Sequence, residues 1–367
     1  MSAGGKIAYQ PTVDWRKPQA ASQPTVVRPV PRRPRRRRAW SLGLLTGACL
    51  ALAAAAVAAP VAARDIARHG AGAGAGYTFH TYDNSSDPAF NRLLGINSGG
   101  VVAGYLGSGA LGHPNQGYQL LPGGRGDYVN ENVPGAAQTQ VTGLNDTGIT
   151  VGFWSDENNA YLPNDSFGFY AVRGSSFHVV DFPTRDNASP PVDQLLGVND
   201  HGVAVGFYTN SQGSNRGYEY NIGTRTFSRV LVPGAPRMGR GPSLTAAAIN
   251  NHGDVAGFYT AGDGATVGFV KMAGGRFITL AYPGASMTQA LGINDGGEVV
   301  GTYEVATGAS CWTHGFTWRA GHGFTAVDDP HGVDTTSING VNGAGDLVGF
   351  YADARGNTHG LLALPRR

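Results

Sequence analysis

The apolar positions of this chain fall in short runs set apart by Gly, Asn, Pro and Asp, and one run recurs. Leu93-Leu94-Gly95-Ile96-Asn97 leads through Ser98-Gly99-Gly100 into Val101-Val102-Ala103-Gly104-Tyr105. The same order returns at Thr142–Phe153, Leu196–Tyr208, Ala248–Tyr259, Leu291–Tyr303 and Gly340–Tyr351. The asparagines that mark it stand at 97, 145, 199, 250, 294 and 342, giving periods of 48, 54, 51, 44 and 48 residues. Periods of this size belong to arrays or propellers. Each copy is two apolar runs joined by Asn-x-x-Gly. Asn and Gly tolerate the positive φ of tight turns, so each copy predicts a hairpin of two strands, A and B.

Two more runs complete each unit. Strand C begins at Gly117-Tyr118, Gly168-Phe169, Gly217-Tyr218, Gly268-Phe269, Gly315-Phe316 and Gly360-Leu361. Strand D follows a Gly-rich turn, at Tyr128–Val133, Phe177–Phe182, Phe227–Val232, Phe277–Tyr282 and Phe324–Asp328. Runs rich in Val, Phe and Tyr and bounded by Gly and Pro read as strands. The fold class is therefore all-β, a six-bladed β-propeller. The sixth copy ends without a strand D. Tyr77–Asp83 repeats the Phe-x-x-x-Asp pattern of Phe177–Asp181 and Phe324–Asp328. The expectation is that this N-terminal strand closes the last blade and removes two open edges.

The rest of the chain is unlike the repeats. Residues 1–38 are basic and Pro-rich, with Pro31-Arg32-Arg33-Pro34-Arg35-Arg36-Arg37-Arg38, and read as a disordered tail. Residues 39–63 hold 24 uncharged positions from Trp40 to Ala63, enough to cross a bilayer. The Arg cluster places the N-terminus in the cytoplasm and the repeats outside. Two readings stay open: a single-pass anchor in the cell membrane, or a signal segment cleaved near Val57-Ala58-Ala59 or Val61-Ala62-Ala63, with the protein secreted. Residues 64–76 form a Gly/Ala linker, and residues 77–367 form one domain.

Charge separates the two parts. The whole chain has a net charge of +2, but residues 77–367 hold 15 Lys and Arg against 23 Asp and Glu, a balance of −8. An acidic domain is a poor nucleic-acid binder, and no such partner is expected. Cys311 is the one cysteine of residues 77–367, so no disulfide forms within that span.

No motif names a reaction. The chain has no nucleophile elbow, phosphate loop or zinc helix motif. Asp146, Asp200 and Asp295 follow the turn asparagines outside any calcium-loop pattern. His201 and His252 occupy the same turn in neighbouring units without a recurring third ligand, so neither metal nor cofactor is expected. His314 and His359 precede Gly in strand C and read as structural. Arg125-Gly126-Asp127 matches an integrin-recognition tripeptide and is read as coincidence. Asp156, Glu157, Asp165, Asp181, Asp328 and Asp329 supply carboxylates, but no sequence rule pairs them for glycoside hydrolysis.

The unit Gly-Ile-Asn-x-x-Gly-x-Val-Val-Gly-x-Tyr, then His-Gly-Phe, then Phe-x-x-x-Asp resembles the HAF family of bacterial extracellular repeats. The clearest copies are Gly292–Tyr303 with His314-Gly315-Phe316, and Gly340–Tyr351 with His359-Gly360-Leu361. The resemblance implies export and repetition, and brings no catalytic residues. The chain departs from the family pattern where Gly117, Gly168, Gly217 and Gly268 lack the preceding His.

Two functions compete. The first is a monomeric, non-catalytic binding or scaffold module for an envelope glycan or surface protein. The second is a propeller hydrolase or lyase acting on a polysaccharide or lactone. The A–B turns are uniform, whereas the B–C loops at Leu106–Gln116, Ser155–Phe167, Thr209–Arg216 and Glu304–His314 differ. Variable loops on a rigid scaffold concentrate binding residues. The candidates there are Trp154, Asp156, Glu157, Tyr161, Tyr208, Tyr259, Tyr303, Trp312 and Tyr351, aromatic faces beside polar groups. Trp154 and Trp312 are favoured as standing outside the repeated core positions.

Overall fold

The computed structural model describes residues 76–122, 127–158, 165–173, 176–234, 241–307 and 310–366. The tail, the apolar segment 39–63, nearly all of the linker, Arg125, Gly126 and Tyr161 lie outside the described residues. Among the described residues no helix is long and apolar enough to cross a membrane.

The described elements are strands throughout. The chain opens with β1 (Tyr77–Tyr82). Next, β2 (Asn91–Ile96), β3 (Val102–Leu106), β4 (Gln116–Leu120) and β5 (Tyr128–Asn130) make one antiparallel sheet in that order. So do β6 (Gln138–Leu144), β7 (Ile149–Ser155), β8 (Phe167–Val172) and β9 (Ser176–Val180). The third sheet is β10 (Asp193–Val198), β11 (Val203–Thr209), β12 (Asn215–Asn221) and β13 (Thr226–Arg229). A larger sheet then holds β14 (Leu244–Ile249), β15 (Val255–Thr260), β16 (Thr266–Lys271) and β17 (Phe277–Leu280) beside β18 (Met287–Ile293), β19 (Val299–Thr307), β20 (Ser310–Arg319) and β21 (Gly323–Val327). The last sheet is β22 (Thr336–Val341), β23 (Leu347–Ala352) and β24 (Thr358–Pro365), with β1 as its fourth strand.

Two details of this topology decide the architecture. The larger sheet is two four-stranded runs joined by one parallel pair, Thr266 with Met287. Isolated parallel bridges join neighbouring sheets at the same kind of place in Ser166–Val192, Thr313–Thr335 and Phe90–Thr358. The join is thus a local contact repeated elsewhere. The second detail is the closing strand: β1 runs antiparallel to β24 from Tyr77–Pro365 to Tyr82–Gly360 without a break.

Every strand A carries a bulge, one residue before the recurrent small residue. The register slips between Leu93 and Gly95, Val141 and Gly143, Leu195 and Gly197, Ala246 and Ala248, Ala290 and Gly292, and Ile338 and Gly340. A bulge re-aims the strand and sharpens its twist. The small residue then allows the inner strands to converge. A Cβ on Gly95 would meet the Cα of Gly143 at 3.1 Å, and one on Gly340 would meet the Cα of Gly95 at 3.2 Å. The glycine of strand B answers the same bulge. A Cβ on Gly104, Gly152, Gly206, Gly257, Gly301 or Gly349 would collide with the backbone carbonyl of Arg92, Gln140, Gln194, Thr245, Gln289 or Ser337 respectively.

The turn asparagines do more than turn the chain. The Oδ1 of Asn199 accepts from the backbone of His201 (3.1 Å) and Val203 (3.0 Å), which holds the turn. Its Nδ2 donates to the carbonyl of Asn250 in the next unit (3.0 Å). Likewise Asn97 donates to Asn145, Asn145 to Asn199, Asn250 to Asn294 and Asn294 to Asn342, at 2.9–3.2 Å. Asn342 donates back to Asn97 at 3.4 Å, so the series closes on itself. A partial second belt lies beside it. The backbone N–H groups of Ser98, Asp146, Asp200 and Asn251 donate to Asp146, Asp200, Asn251 and Asp295 of the following unit, each at 2.8 Å. The acidic residues after the turn asparagines are therefore acceptors of neighbouring backbone. Between the sheets lie clusters such as Val151, Tyr170, Leu195, Tyr208 and Tyr218, which fill each gap with one face from either side.

Candidate functional site

In an antiparallel A-B-C-D sheet, the A–B and C–D turns emerge on one face and the B–C and D–A connections on the other. The asparagine belt occupies the first face. The described candidate residues belong to the second.

Five of the aromatics share one repeated position at the end of strand B. Trp154 faces Thr139, Tyr208 faces Asp193, Tyr259 faces Leu244, Tyr303 faces Thr288 and Tyr351 faces Thr336. The expectation that Trp154 stands outside the repeated positions is thus corrected: it is the second unit's copy of the tyrosine. Most of these rings are occupied by packing. Tyr208 stacks on Phe182 with centroids 4.6 Å apart, and Tyr303 stacks on Tyr282 at 3.6 Å. Tyr351 stacks on His359 at 5.1 Å, and its hydroxyl is 2.9 Å from Thr81 Oγ1. Those three are buried, whereas Trp154 and Tyr259 are half-buried. Trp154 lies against Phe167 at 5.0 Å, with its indole N–H buried and without a partner among the described residues.

The other described candidates, Asp156, Glu157 and Trp312, are exposed. Asp156 and Glu157 follow β7. Beside them Ser155 Oγ donates to Asp165 Oδ1 at 2.7 Å. The Asp165 carboxyl is held above the usual carboxylate range, first by burial, while the Ser155 hydroxyl opposes and Asp156 and Glu157 add. Trp312 is 38 % exposed. The expected loop Glu304–His314 is instead an extension of the β19–β20 hairpin, in which Trp312 pairs with Val305. Val305, Thr307, Trp312 and Thr313 are β-branched or aromatic, types that favour ladder pairing. The candidates thus form no single cluster: Trp154, Asp156, Glu157 and Asp165 stand together in the second unit, Trp312 stands in the fifth, and the tyrosines stay with their own units.

The two histidines of strand C have defined partners. His314 Nδ1 is 2.9 Å from Asp328 Oδ2, and His359 Nδ1 is 2.8 Å from Asp83 Oδ2. Burial works against the charged imidazole of His359, but Asp83 and Asp353 outweigh it and raise its pKa.

Asp193 is the most perturbed carboxyl whose value falls near neutrality. It accepts from the Phe182 backbone (2.7 Å) and from the Tyr218 hydroxyl. Burial pushes it up to about 7, against those two hydrogen bonds and with the help of Asp181. Its place explains it. Thr139, Thr288 and Thr336 accept a backbone N–H from the same corner, at 3.1, 2.9 and 3.3 Å. The folded chain therefore keeps a proton on Asp193 that the unfolded chain loses near its ordinary 3.8. The folded state binds more protons between those values, so stability falls as pH rises from about 4 to about 7. The ceiling is roughly 4 kcal/mol, at 1.36 kcal/mol per pH unit. Thermal melts at pH 5 and pH 8 are expected to show the higher Tm at pH 5. Asp193→Asn, which keeps an acceptor for Phe182, should remove most of the difference; a variant with an unchanged pH profile would refute the assignment.

The sequence reading missed a polar belt at the start of strands A and C. Gln140 Nε2 donates to Asn115 Oδ1 (2.7 Å), Gln194 Nε2 to Ser166 Oγ (3.0 Å) and Asn215 Nδ2 to Thr245 Oγ1 (3.0 Å), each pair joining two units. At the strand-A position of this belt the first unit holds Arg92 and the last unit holds Ser337, and both are buried with an unpartnered polar atom. Aligning the six units would have exposed the signal: Arg92 is the one cation at a position otherwise Gln, Thr or Ser.

No family model matches the chain, and no curated protein does. Among solved structures it resembles TolB from Acinetobacter baumannii, with a TM-score of 0.45 and 12% identity over 77% of this chain and 66% of that protein. It also resembles a lectin of Aleuria aurantia solved with Fucα1-6GlcNAc, with a TM-score of 0.44 and 12% identity over 76% and 96%. A third is a PL25 ulvan lyase bound to -[GlcA(1-4)Rha3S]-, with a TM-score of 0.41 and 11% identity over 76% and 79%. At these values no residue roles carry over.

Proposed function

We propose that residues 77–367 are a six-bladed β-propeller, displayed outside a membrane that residues 39–63 cross, and that the domain binds an envelope glycan without catalysis. The blade count rests on dividing the larger sheet at its single junction and on the asparagine series, which returns to Asn97 from Asn342. Membership among HAF-type repeats is part of the reading. The His314–Asp328 and His359–Asp83 pairs give the His-Gly-Phe and Phe-x-x-x-Asp motifs one joint physical reason.

The observation that carries the functional reading is the contrast between the two faces. One face is tied unit to unit by repeated side chain-to-backbone bonds, which leave it little freedom to vary. The other carries unequal connections, an exposed Trp312 and the exposed Asp156 and Glu157. An exposed aromatic face suits the C–H face of a sugar and exposed carboxylates suit its hydroxyls, and this side of the domain offers both, the aromatic in the fifth unit and the carboxylates in the second. A glycan array probed with the full-length chain tests the reading. Trp312→Ala is expected to leave the melting temperature unchanged and to weaken binding about tenfold, the scale of one exposed aromatic contact. Trp154→Ala is expected to cost about 2 kcal/mol of stability as well, because that ring also packs on the core. A Trp312→Ala chain that binds like the parent would remove Trp312 from the site.

The lyase or hydrolase reading keeps one point in its favour, the raised Asp165 carboxyl beside Asp156. Release of new reducing ends from a bound polysaccharide, lost in Asp165→Asn, would replace the non-catalytic reading.

A further inference from the structure

Arg92 is 5 % exposed. A guanidinium so buried is ordinarily matched by a carboxylate. This one makes no hydrogen bond or ion pair among the described residues, and its Nε is a buried donor without a partner. Carboxylates are not scarce, since residues 77–367 carry 23 Asp and Glu against 15 Lys and Arg. The charge has been placed where none of them reaches it.

Its surroundings are aromatic. The guanidinium carbon lies 4.3 Å from the ring centroid of Phe350 and 4.9 Å from that of Phe90. Rings support a cation through their faces and keep water from it. They do not satisfy its N–H groups, which lie in the guanidinium plane and are spaced for the two oxygens of one planar anion.

A second orphan stands beside the same ring. Ser337 is the ladder partner of Phe350, is 2 % exposed, and its Oγ has no hydrogen-bond partner. In three other units these belt positions satisfy a neighbouring side chain, as Gln140 does with Asn115. Among the described residues, the first unit alone places a cation at this strand-A position and the last unit alone an unpaired hydroxyl, and Phe350 lies against both. Unsatisfied buried donors are costly, so two of them around one ring point to a missing acceptor.

We propose that Arg92 and Ser337 form an anion subsite, with Phe350 and Phe90 as its walls, that takes the carboxylate of an acidic sugar. The proposal rests on the glycan reading above and adds to it a charge preference. A carboxylate fits the fork of Arg92 edge-on, and the Ser337 hydroxyl donates to one of its oxygens.

The test compares trigalacturonate with its methyl ester, the same backbone without charge, binding to the full-length chain in detergent. The acid is expected to bind on the order of 30-fold more tightly at low salt, the range of charge-assisted hydrogen bonds from a desolvated site. That preference should shrink as salt rises. Arg92→Met keeps an unbranched apolar stem between the two rings and should abolish the preference while ester binding persists. Ser337→Ala should reduce the preference about fivefold. If Arg92→Met fails to fold, Arg92→Lys carries the test: it keeps the charge, loses the fork, and should lose most of the preference. Equal binding of acid and ester by the parent chain, or a preference that survives both Arg92 variants, would overturn the subsite and leave the glycan reading intact. Binding of neither probe, with the glycan array also blank, would end both.

Discussion

Deleting Tyr77–Tyr82 from the full chain is expected to replace one cooperative melting transition by a broad one, shifted down by roughly 10 °C or more. The deleted strand supplies six consecutive ladder pairs to β24. Its half-buried Tyr77 and Phe79 pack on the cluster of Ile338, Leu347, Tyr351 and Leu361. Burial of two aromatic rings is worth about 1.5–3 kcal/mol each when complete, and these are partial. The loss also bares the edge of β24 and frees the Asp83 side of His359. A total of roughly 4 kcal/mol is a large share of the 5–15 kcal/mol typical of a folded domain. At about 2–4 °C per kcal/mol for a domain of this class, the shift follows. Differential scanning calorimetry reads it directly, and a deletion that melts like the parent would mean that the closing strand contributes nothing.

Gly206→Ala is expected to be among the most damaging single substitutions in the chain, costing roughly 4 kcal/mol or abolishing soluble folding. The added methyl would point into the carbonyl of Gln194, across the bulge of β10. That carbonyl is backbone, fixed by the ladder, and cannot step aside as a flexible side chain would. Relief would require undoing the bulge, and with it the turn that sends Gly197 toward Ala248 of the next unit. Gly274→Ala is the control, because a Cβ there meets nothing within 4 Å. Urea melts of the two variants should differ by several kcal/mol; equal midpoints would show that the inner strands yield more easily than their packing implies.

Much of the strand order was legible because the repeat states it repeatedly. Asn-x-x-Gly between two apolar runs fixes a hairpin, and the Phe-x-x-x-Asp of Tyr77–Asp83 identifies a displaced strand D. What the sequence hid was adjacency between units. The asparagines lie 44 to 54 residues apart, and nothing in that spacing announces that Asn97 and Asn342 share a hydrogen bond. The bulge was hidden for a similar reason, since Leu94 looks like any other apolar strand residue until its partner strand skips it. The candidate site was less legible than the fold. Trp154 looked exceptional as a residue type, yet its register makes it ordinary. Arg92 looked ordinary as one of several arginines, and becomes exceptional only when the groups around it turn out to hold no carboxylate.

One contact at the end of the chain sets the direction in which the molecule is presented. The Arg366 N–H donates to the Gly76 carbonyl at 2.8 Å, beside the first ladder pair of β1 and β24. Strand D starts from the face of short turns, so both ends of the described chain leave from that face, on the outer rim. Anything tied to the residues before Gly76 therefore holds the domain by its invariant side. The variable side, with Trp312, Asp156 and Glu157, is turned away from the attachment point. Attachment at Gly76 or at Arg366 leaves the same surface free, whereas a bulky group at Gly76 shields only the asparagine turns.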